Sequence, residues 1–395
     1  TTGSSNVFVG AYAGDAVTSG STSVIVGHNA GSAMTTASEN VIVGNNAGAA
    51  LTTGGQNILI GDNAGAGGAI TGIRNVAVGD NALYSVVDGG GNIAIGYAAG
   101  NVVSSATNNV FVGTGSGQST TSGGSNTAIG NLALTSNTTA AGNTALGVNA
   151  LYANTTGANN TALGYLALDA NTTGSSNTAV GINCLTANTT ASNNVAMGNY
   201  ALGACTTGVS NVAMGTLAAD AVTTGGYHVA IGEQALGACT TSTGNTAVGY
   251  NAGNDITTGG NNTCVGNASG QAITTSPSNT CVGHGAGSSI AGGSGGNVCI
   301  GNLAGDALTT GTNNIIIGDT ADAAAADSAQ SITLGNGTIA ALRCQVQTIS
   351  SLSDRRDKKD IKDLDYGLDF INTLHPVKFT WNMRSGDKVD IKEVG

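Results

Sequence analysis

The chain has 395 residues and a net charge of −11, with 64 glycines, two prolines and only 8% charged residues. Its 40% hydrophobic content argues against disorder, and the two prolines exclude collagen-like and proline-rich structures. Residues 1–342 hold thirteen acidic residues and a single basic one, Arg74, whereas residues 343–395 hold nine acids and ten bases. So acidic a first part excludes nucleic-acid binding by phosphate attraction, and no apolar run is long enough for membrane insertion.

A five-residue pattern, Asn-Thr-Ala-Leu-Gly at 143–147, recurs with variations nineteen times between residues 6 and 318. Its first residue is asparagine except at Ser23 and His228, and a glycine follows four residues later in every copy. Sixteen of the eighteen steps are 17 residues long, and the steps 57 to 75 and 279 to 297 are 18. A fixed period of this size predicts a stacked array of coils.

Each repeat predicts one coil of a parallel β-solenoid. Residues such as 144–146 alternate with β-branched or aliphatic side chains, which is typical of a short strand, and the glycine ends it. A second small-residue stretch, 148–151, predicts a second strand, and an Asn-Thr-Thr-Gly turn returns the chain. Parallel stacking places like residues over like, so asparagine side chains form a hydrogen-bonded ladder.

Paired threonines, such as Thr155-Thr156, recur in the turns. We interpret their hydroxyls as partners of backbone groups. Adjacent threonines in a strand would face opposite sides, which disfavours a flat ice-binding surface.

The side chains predict how the coils pack. The third strand residue, Leu146 for example, is aliphatic in all nineteen repeats and is expected to fill the core of one chain. The neighbouring small residues, such as Ala145, suggest a second buried face against other subunits. We therefore predict an all-β homo-oligomer, most simply a homotrimer, whose nineteen coils form a rod roughly 90 Å long.

The segments 126–130 (Asn-Thr-Ala-Ile-Gly) and 92–96 (Asn-Ile-Ala-Ile-Gly) resemble the head repeats of trimeric autotransporter adhesins. The resemblance covers about residues 1–320. It implies a left-handed parallel β-roll with three chains side by side. The coil here is longer than in that family, and the segment before the asparagine differs.

The remaining chain divides into two parts. Residues 319–352 are predicted to form a neck after the 1–318 shaft, with an irregular connection at 319–330 and strands at 331–334 and 339–349. Residues 353–395 are predicted to form a small α+β piece, with a helix at 365–374 and strands at 377–382 and 389–394.

The run Ser-Asp-Arg-Arg-Asp-Lys-Lys-Asp-Ile at 353–361, followed by Gly-Leu-Asp-Phe-Ile at 367–371 and Leu-His-Pro-Val at 374–377, resembles the peptidase S74 family. Its members are intramolecular chaperones at the ends of phage tail spikes and tail fibres. The resemblance implies a catalytic Ser353–Lys358 dyad that cuts the chain once, at the serine, after the trimer has folded. The family domain is longer than 353–395, so we expect this segment to be its beginning.

The chemistry suits such a dyad, because a desolvated lysine loses its charge and can accept the serine proton. From the residues alone, Ser353 could equally begin a helix, with Lys358 as a solvated charge. Both readings stay open at this point.

These observations predict a structural and host-attachment component of a viral tail fibre or spike, located on the virion and therefore extracellular. The expected partners are two further copies, other virion tail proteins and a host surface polysaccharide or protein receptor. The alternatives are a trimeric adhesin on a bacterial cell surface and a polysaccharide-degrading tail spike. The last needs paired carboxylates in a groove, and the shaft has none at matching phase in adjacent coils.

No metal or cofactor site is expected. Cys264, Cys281 and Cys299 share one repeat phase, which indicates small buried residues in place of alanine. The histidines of the shaft, at 28, 228 and 284, lie in different coils without an acidic residue at ligand spacing, so we interpret them as polar substitutions.

Overall fold

The computed structural model describes residues 2–339 and two short strands at 381–382 and 388–389. The chain divides into two compact units, residues 1–339 and 340–395. The first unit contains one parallel sheet of twenty strands, which confirms the predicted all-β parallel solenoid. The strands are β1 Val7–Val9, β2 Val24–Val26, β3 Val41–Val43, β4 Ile58–Ile60, β5 Val76–Val78, β6 Ile93–Ile95, β7 Val110–Val112, β8 Thr127–Ile129, β9 Thr144–Leu146, β10 Thr161–Leu163, β11 Thr178–Val180, β12 Val195–Met197, β13 Val212–Met214, β14 Val229–Ile231, β15 Thr246–Val248, β16 Thr263–Val265, β17 Thr280–Val282, β18 Val298–Ile300, β19 Ile315–Ile317 and β20 Ile332–Leu334.

Neighbouring strands pair in strict register with the equivalent residue one period away. Ala145 lies opposite Ala162, and Cys281 lies opposite both Cys264 and Cys299. At about 4.8 Å per step, twenty strands give the first unit a length of roughly 90 Å.

The solenoid pairing continues one coil past the nineteen that the asparagine–glycine pattern marks. Strand β20 pairs with β19, and Ser331 takes the ladder position by donating its N–H to Asn314 Oδ1 at 3.1 Å. These residues fall within the 319–352 segment predicted as a neck. The strand predicted at 339–349 lies, apart from Ile339, outside the described residues.

The predicted second strand of each coil is wrong. In the stretch 148–151 the backbone alternates, with φ of 57° at Asn149 and 52° at Leu151, and the chain forms consecutive turns. Left-handed residues at every second position cannot form an extended strand. Each coil therefore contains one three-residue strand followed by a long turn.

The predicted facing of the strand is also wrong. Ala145 has no exposed surface, whereas 46% of Leu146 is exposed and Thr144 is half-buried. The middle residue of each strand from β2 to β19 is buried, and the two flanking residues are half-buried or exposed. Side chains alternate along a strand, so only the middle one of the three faces the interior. The leucine of the turn, Leu151, is also fully buried and adds a large side chain to the core.

The buried asparagine ladder is confirmed. Oδ1 of Asn143 accepts the backbone N–H of Asn160 at 2.9 Å, and Nδ2 of Asn160 donates to the Gly174 carbonyl at 2.8 Å. Further steps add direct side-chain bonds, such as Asn109 Nδ2 to Asn92 Oδ1 at 3.0 Å. Each asparagine thus ties its own coil to the coils on both sides.

The glycine after each strand is required for two reasons. Gly147 has φ of 139°, which side-chain-bearing residues rarely adopt. A Cβ atom there would also lie 2.4 Å from the carbonyl oxygen of Gly164 in the next coil. This column therefore sets how closely the coils stack.

The prediction for the threonine pairs is confirmed for the first threonine of each pair. The first threonine of the pair donates its hydroxyl to a carbonyl one coil ahead, from Thr138 to Thr155 at 3.1 Å and from Thr155 to Thr172 at 3.0 Å. The column thus adds a second line of bonds between coils.

The second unit contributes one described feature. Trp381–Asn382 (β21) pairs antiparallel with Lys388–Val389 (β22), within and beside the strands predicted at 377–382 and 389–394. The helix predicted at 365–374 lies outside the described residues.

Candidate functional site

The first and third residues of strands β1–β20 form one continuous apolar surface, which we call the outer strand face. The third residue is aliphatic in every strand, and the first is valine, isoleucine or threonine. Ile129, Leu146 and Met197 expose 38%, 46% and 38% of their surface. Because the register is strict, these side chains line up coil over coil along the whole first unit.

The outer strand face is larger than the apolar patches that monomeric proteins usually expose. A length of roughly 90 Å and a width of about 10 Å, two side chains across, give an area on the order of 900 Å². Exposed apolar patches on monomeric proteins are usually a few hundred Å², and a stable interface buries about 800 Å² per partner. The sequence carries the signal, an aliphatic third position, but the predicted facing assigned it to the interior.

Two lines of polar side chains follow the glycine column on the surface. His28 Nδ1 lies 3.3 Å from Asn45 Oδ1, and Asn45 Nδ2 donates to Asp62 Oδ1 at 3.0 Å. The same order of residue types recurs fifteen coils along the shaft, at His284, Asn302 and Asp319, with distances of 3.2 and 3.0 Å. An asparagine separates acid from imidazole and no nucleophile is part of either line, so they form surface ladders rather than a catalytic group.

His228 occupies the buried ladder and reproduces both asparagine contacts. Its Nδ1 accepts the N–H of Asn245 at 3.2 Å, and its Nε2 lies 2.8 Å from the Ser242 carbonyl. Cys239 Sγ lies 3.5 Å from Nε2 and 2.9 Å from the Ser242 hydroxyl. Burial lowers the pKa of His228 below its ordinary 6.5 and raises the pKa of the Cys239 thiol. The neutral, enclosed pair supports the polar-substitution interpretation.

The six cysteines described are unpaired thiols in the interior. Burial raises the pKa of Cys184 to about 12 and that of Cys205 to about 11, so both are protonated at neutral pH. A buried, protonated thiol is a poor nucleophile.

The repeat pattern does not reveal one pair of neighbouring carboxylates, Asp306 and Asp322. Their positions within the repeat differ by one residue. Asp306 and Asp322 lie in adjacent coils, and burial together with the neighbouring Asp306 raises the pKa of Asp322. Asp322 also accepts the N–H of Ala307 at 3.2 Å. Two neighbouring carboxylates do not by themselves make a glycosidase site, because cleavage of a glycosidic bond needs the two groups on opposite sides of the substrate.

Residues 2–339 contain no group of three or more His, Cys, Asp or Glu side chains arranged for a metal ion. In the same part of the chain, no helix has the length and apolar character needed to cross a membrane.

The predicted dyad, Ser353 and Lys358, lies outside the described residues, so its geometry stays a prediction. Comparison with known families bears on this segment. Residues 353–395 match the Peptidase_S74 family, described as the chaperone of endosialidase. A β-solenoid followed by this segment fits a tail-spike-like protein. Searches of curated proteins and of solved structures gave no match.

Proposed function

We propose that the protein is a subunit of a homotrimeric tail spike or tail fibre that attaches a virus particle to its host. The match of residues 353–395 to the chaperone of endosialidase carries this proposal. The shaft supplies a long, rigid, acidic rod, and the C-terminal segment aligns the three chains. Other virion tail proteins hold one end of the rod, and a host surface polysaccharide or protein receptor is the target.

The outer strand face supports the trimer. A single chain leaves roughly 900 Å² of aligned, mainly apolar surface in water, which three copies packed side by side would cover. Such an interface would also shield the narrow interior of each chain from water on the side of the strands.

The C-terminal segment sets the axial register of the three chains, which the repeats of the shaft do not specify. Because all coils are alike, two chains shifted by one coil would still match aliphatic residue to aliphatic residue. A folded element at one end of each chain selects the unshifted arrangement. Removal of this element after assembly, by a cut at Ser353, would make the assembled state hard to reverse.

The experiment compares products expressed from the full gene by mass spectrometry and light scattering. We expect the wild type to separate at Ser353. We expect light scattering to give the shaft a mass three times that of its single chain measured by mass spectrometry. Ser353→Ala and Lys358→Ala should stay intact, and Lys359→Ala, the matched neighbouring lysine, should still be cut. An intact wild type would remove the dyad from the proposal, and a monomeric shaft would remove the trimer.

A further inference from the structure

Arg74 is the single basic residue among the first 342, in a part of the chain with thirteen acids. It lies just before strand β5, on the surface, and its φ of 60° places it in the left-handed region. The equivalent position in the preceding coils holds Gln56 and Glu39. A lone cation on so acidic a rod is the natural attachment point for an anionic group.

The two preceding side chains hold the guanidinium in place. Glu39 Oε2 accepts Gln56 Nε2 at 2.9 Å, and Gln56 Oε1 accepts Arg74 Nε at 3.0 Å. Nε is one of five N–H donors of the group. Among the described residues the guanidinium makes no other hydrogen bond, so its two terminal nitrogens remain available for a bidentate partner.

Arg74 is one of the residues that line a surface cavity of about 450 Å³. The next residue of the column, Gly91, also lines the cavity and has no side chain, and Asn108 Oδ1 lies 2.7 Å from the position that a Cβ atom of Gly91 would take. The column thus skips one side chain between Arg74 and Asn108. Asp88, Thr71 and Thr107 complete the polar lining.

The cavity combines groups that recognise different parts of one molecule. Its volume falls within the range of about 300–1,000 Å³ typical of small-molecule sites. The guanidinium fork fits a carboxylate, while Asp88, Asn108 and the threonine hydroxyls suit the hydroxyls of a sugar. Asp88 and the acidic shaft disfavour the second charge of a phosphate.

We propose that this cavity, the Arg74 site, binds a carboxylate-bearing sugar unit of a surface polysaccharide. The inference rests on the proposed attachment function and names its ligand class. The lining comes from the turns before strands β5, β6 and β7 and not from the strands themselves, so the site is separate from the outer strand face.

The test uses the full chain and ligand-observed saturation-transfer NMR. The probes are a tetrasaccharide of alternating glucuronate and N-acetylglucosamine, an oligogalacturonate, neutral chitotetraose and inorganic phosphate. We expect binding of the two carboxylated probes, at least tenfold weaker binding of chitotetraose, and no competition by equimolar phosphate. Arg74→Ala should weaken binding of the carboxylated probes roughly tenfold to a hundredfold, because a bond to a charged group is lost.

Ser210→Ala is the matched control, since Ser210 holds the same column position with φ of 58° eight coils away. It should bind as the wild type does. Equal binding by wild type and Arg74→Ala, or no saturation transfer from either carboxylated probe, would overturn the site. Displacement by phosphate at equal concentration would show a general anion site and overturn it too. Rods that still adhere to host cells in those cases would leave the attachment function standing.

Discussion

Phe111 occupies the space that a side chain at Gly117 would need. A Cβ atom at Gly117 would lie 2.3 Å from Cε1 of the Phe111 ring, and Phe111 has no exposed surface. One coil further, the same two positions hold Ala128 and Leu134, both also fully buried. The strand and the turn of each coil thus share one interior volume, with the large side chain supplied by either.

Exchanging these pairs tests that relationship. Phe111→Ala should destabilise the shaft by about 3–5 kcal/mol through a cavity, and Gly117→Leu by about 1–3 kcal/mol through overpacking. The double variant reproduces the Ala128–Leu134 arrangement, so it should recover most of the loss, with a coupling of at least about 2 kcal/mol. Urea unfolding combined with amide hydrogen exchange would measure this coil by coil. Strictly additive losses would contradict the shared volume.

The glycine column predicts a much larger effect for a single methyl group. At Gly147 both the left-handed φ and the 2.4 Å approach to the Gly164 oxygen oppose a side chain. We expect Gly147→Ala to cost at least about 3 kcal/mol, because strain and displaced backbone add together. Gly292→Ala is the control, since no atom lies within 4 Å of its added Cβ. Thermal unfolding of both variants would compare them, and equal melting temperatures would refute the explanation.

His228 predicts a pH dependence of stability. Its folded pKa is lowered by burial, so below pH 6.5 the unfolded chain binds the proton more readily than the folded one. The free energy of unfolding should therefore be highest above pH 6.5 and fall as the pH drops towards the folded pKa. The total loss should be about 1.4 kcal/mol for each pH unit by which the folded pKa lies below the unfolded one. Melting temperatures between pH 7.5 and 5 should show this slope.

Two variants isolate the histidine. His228→Asn restores the residue type of the ladder and removes the titrating group, so its slope should flatten. Ser23→Asn changes the other non-asparagine position and contains no titrating group, so the wild-type slope should remain. A His228→Asn slope as steep as that of the wild type would rule out this residue as the cause.

The outer strand face predicts that charge placed there blocks association. Ile129→Asp combined with Leu146→Asp puts two carboxylates on adjacent coils of the face. A buried, unpaired charge costs about 3–5 kcal/mol, so the trimer should dissociate at micromolar concentration. Light scattering would report the mass, and Thr156→Asp on the exposed turn should leave it unchanged. A trimeric double variant would place the interface elsewhere.

The periodicity of the sequence predicted the columns of identical residues. It did not predict the features that depend on the backbone conformation within each coil. The asparagine ladder and the glycine column follow from an unbroken period, and both are present. The facing of Ala145 and Leu146 came out reversed, because an aliphatic residue was assumed to lie inside. The turn leucine that fills the interior, Leu151, has a left-handed backbone, which is rare for leucine. The exchange of leucine and glycine in that column, as at Leu134 and Gly117, was the available signal.

The dyad and the Arg74 site show a different limit. Ser353 and Lys358 were suggested by a family motif, and a motif carries no distance between side chains. Arg74 was noticed only as an isolated charge, because the gap at Gly91 depends on which side chains stack beside it. Both need positions in space, which periodicity along one chain does not supply.

The strict coil-to-coil register restricts how the shaft can change over evolutionary time. An added residue is absorbed only where a turn can bulge, between Gly67 and Ile70 and between Ala291 and Gly296, and the strand pairing resumes unshifted on the next coil. Elsewhere a gain or loss would have to comprise a whole coil. The length of the rod therefore changes in steps of about 4.8 Å, one for each coil that is duplicated or deleted.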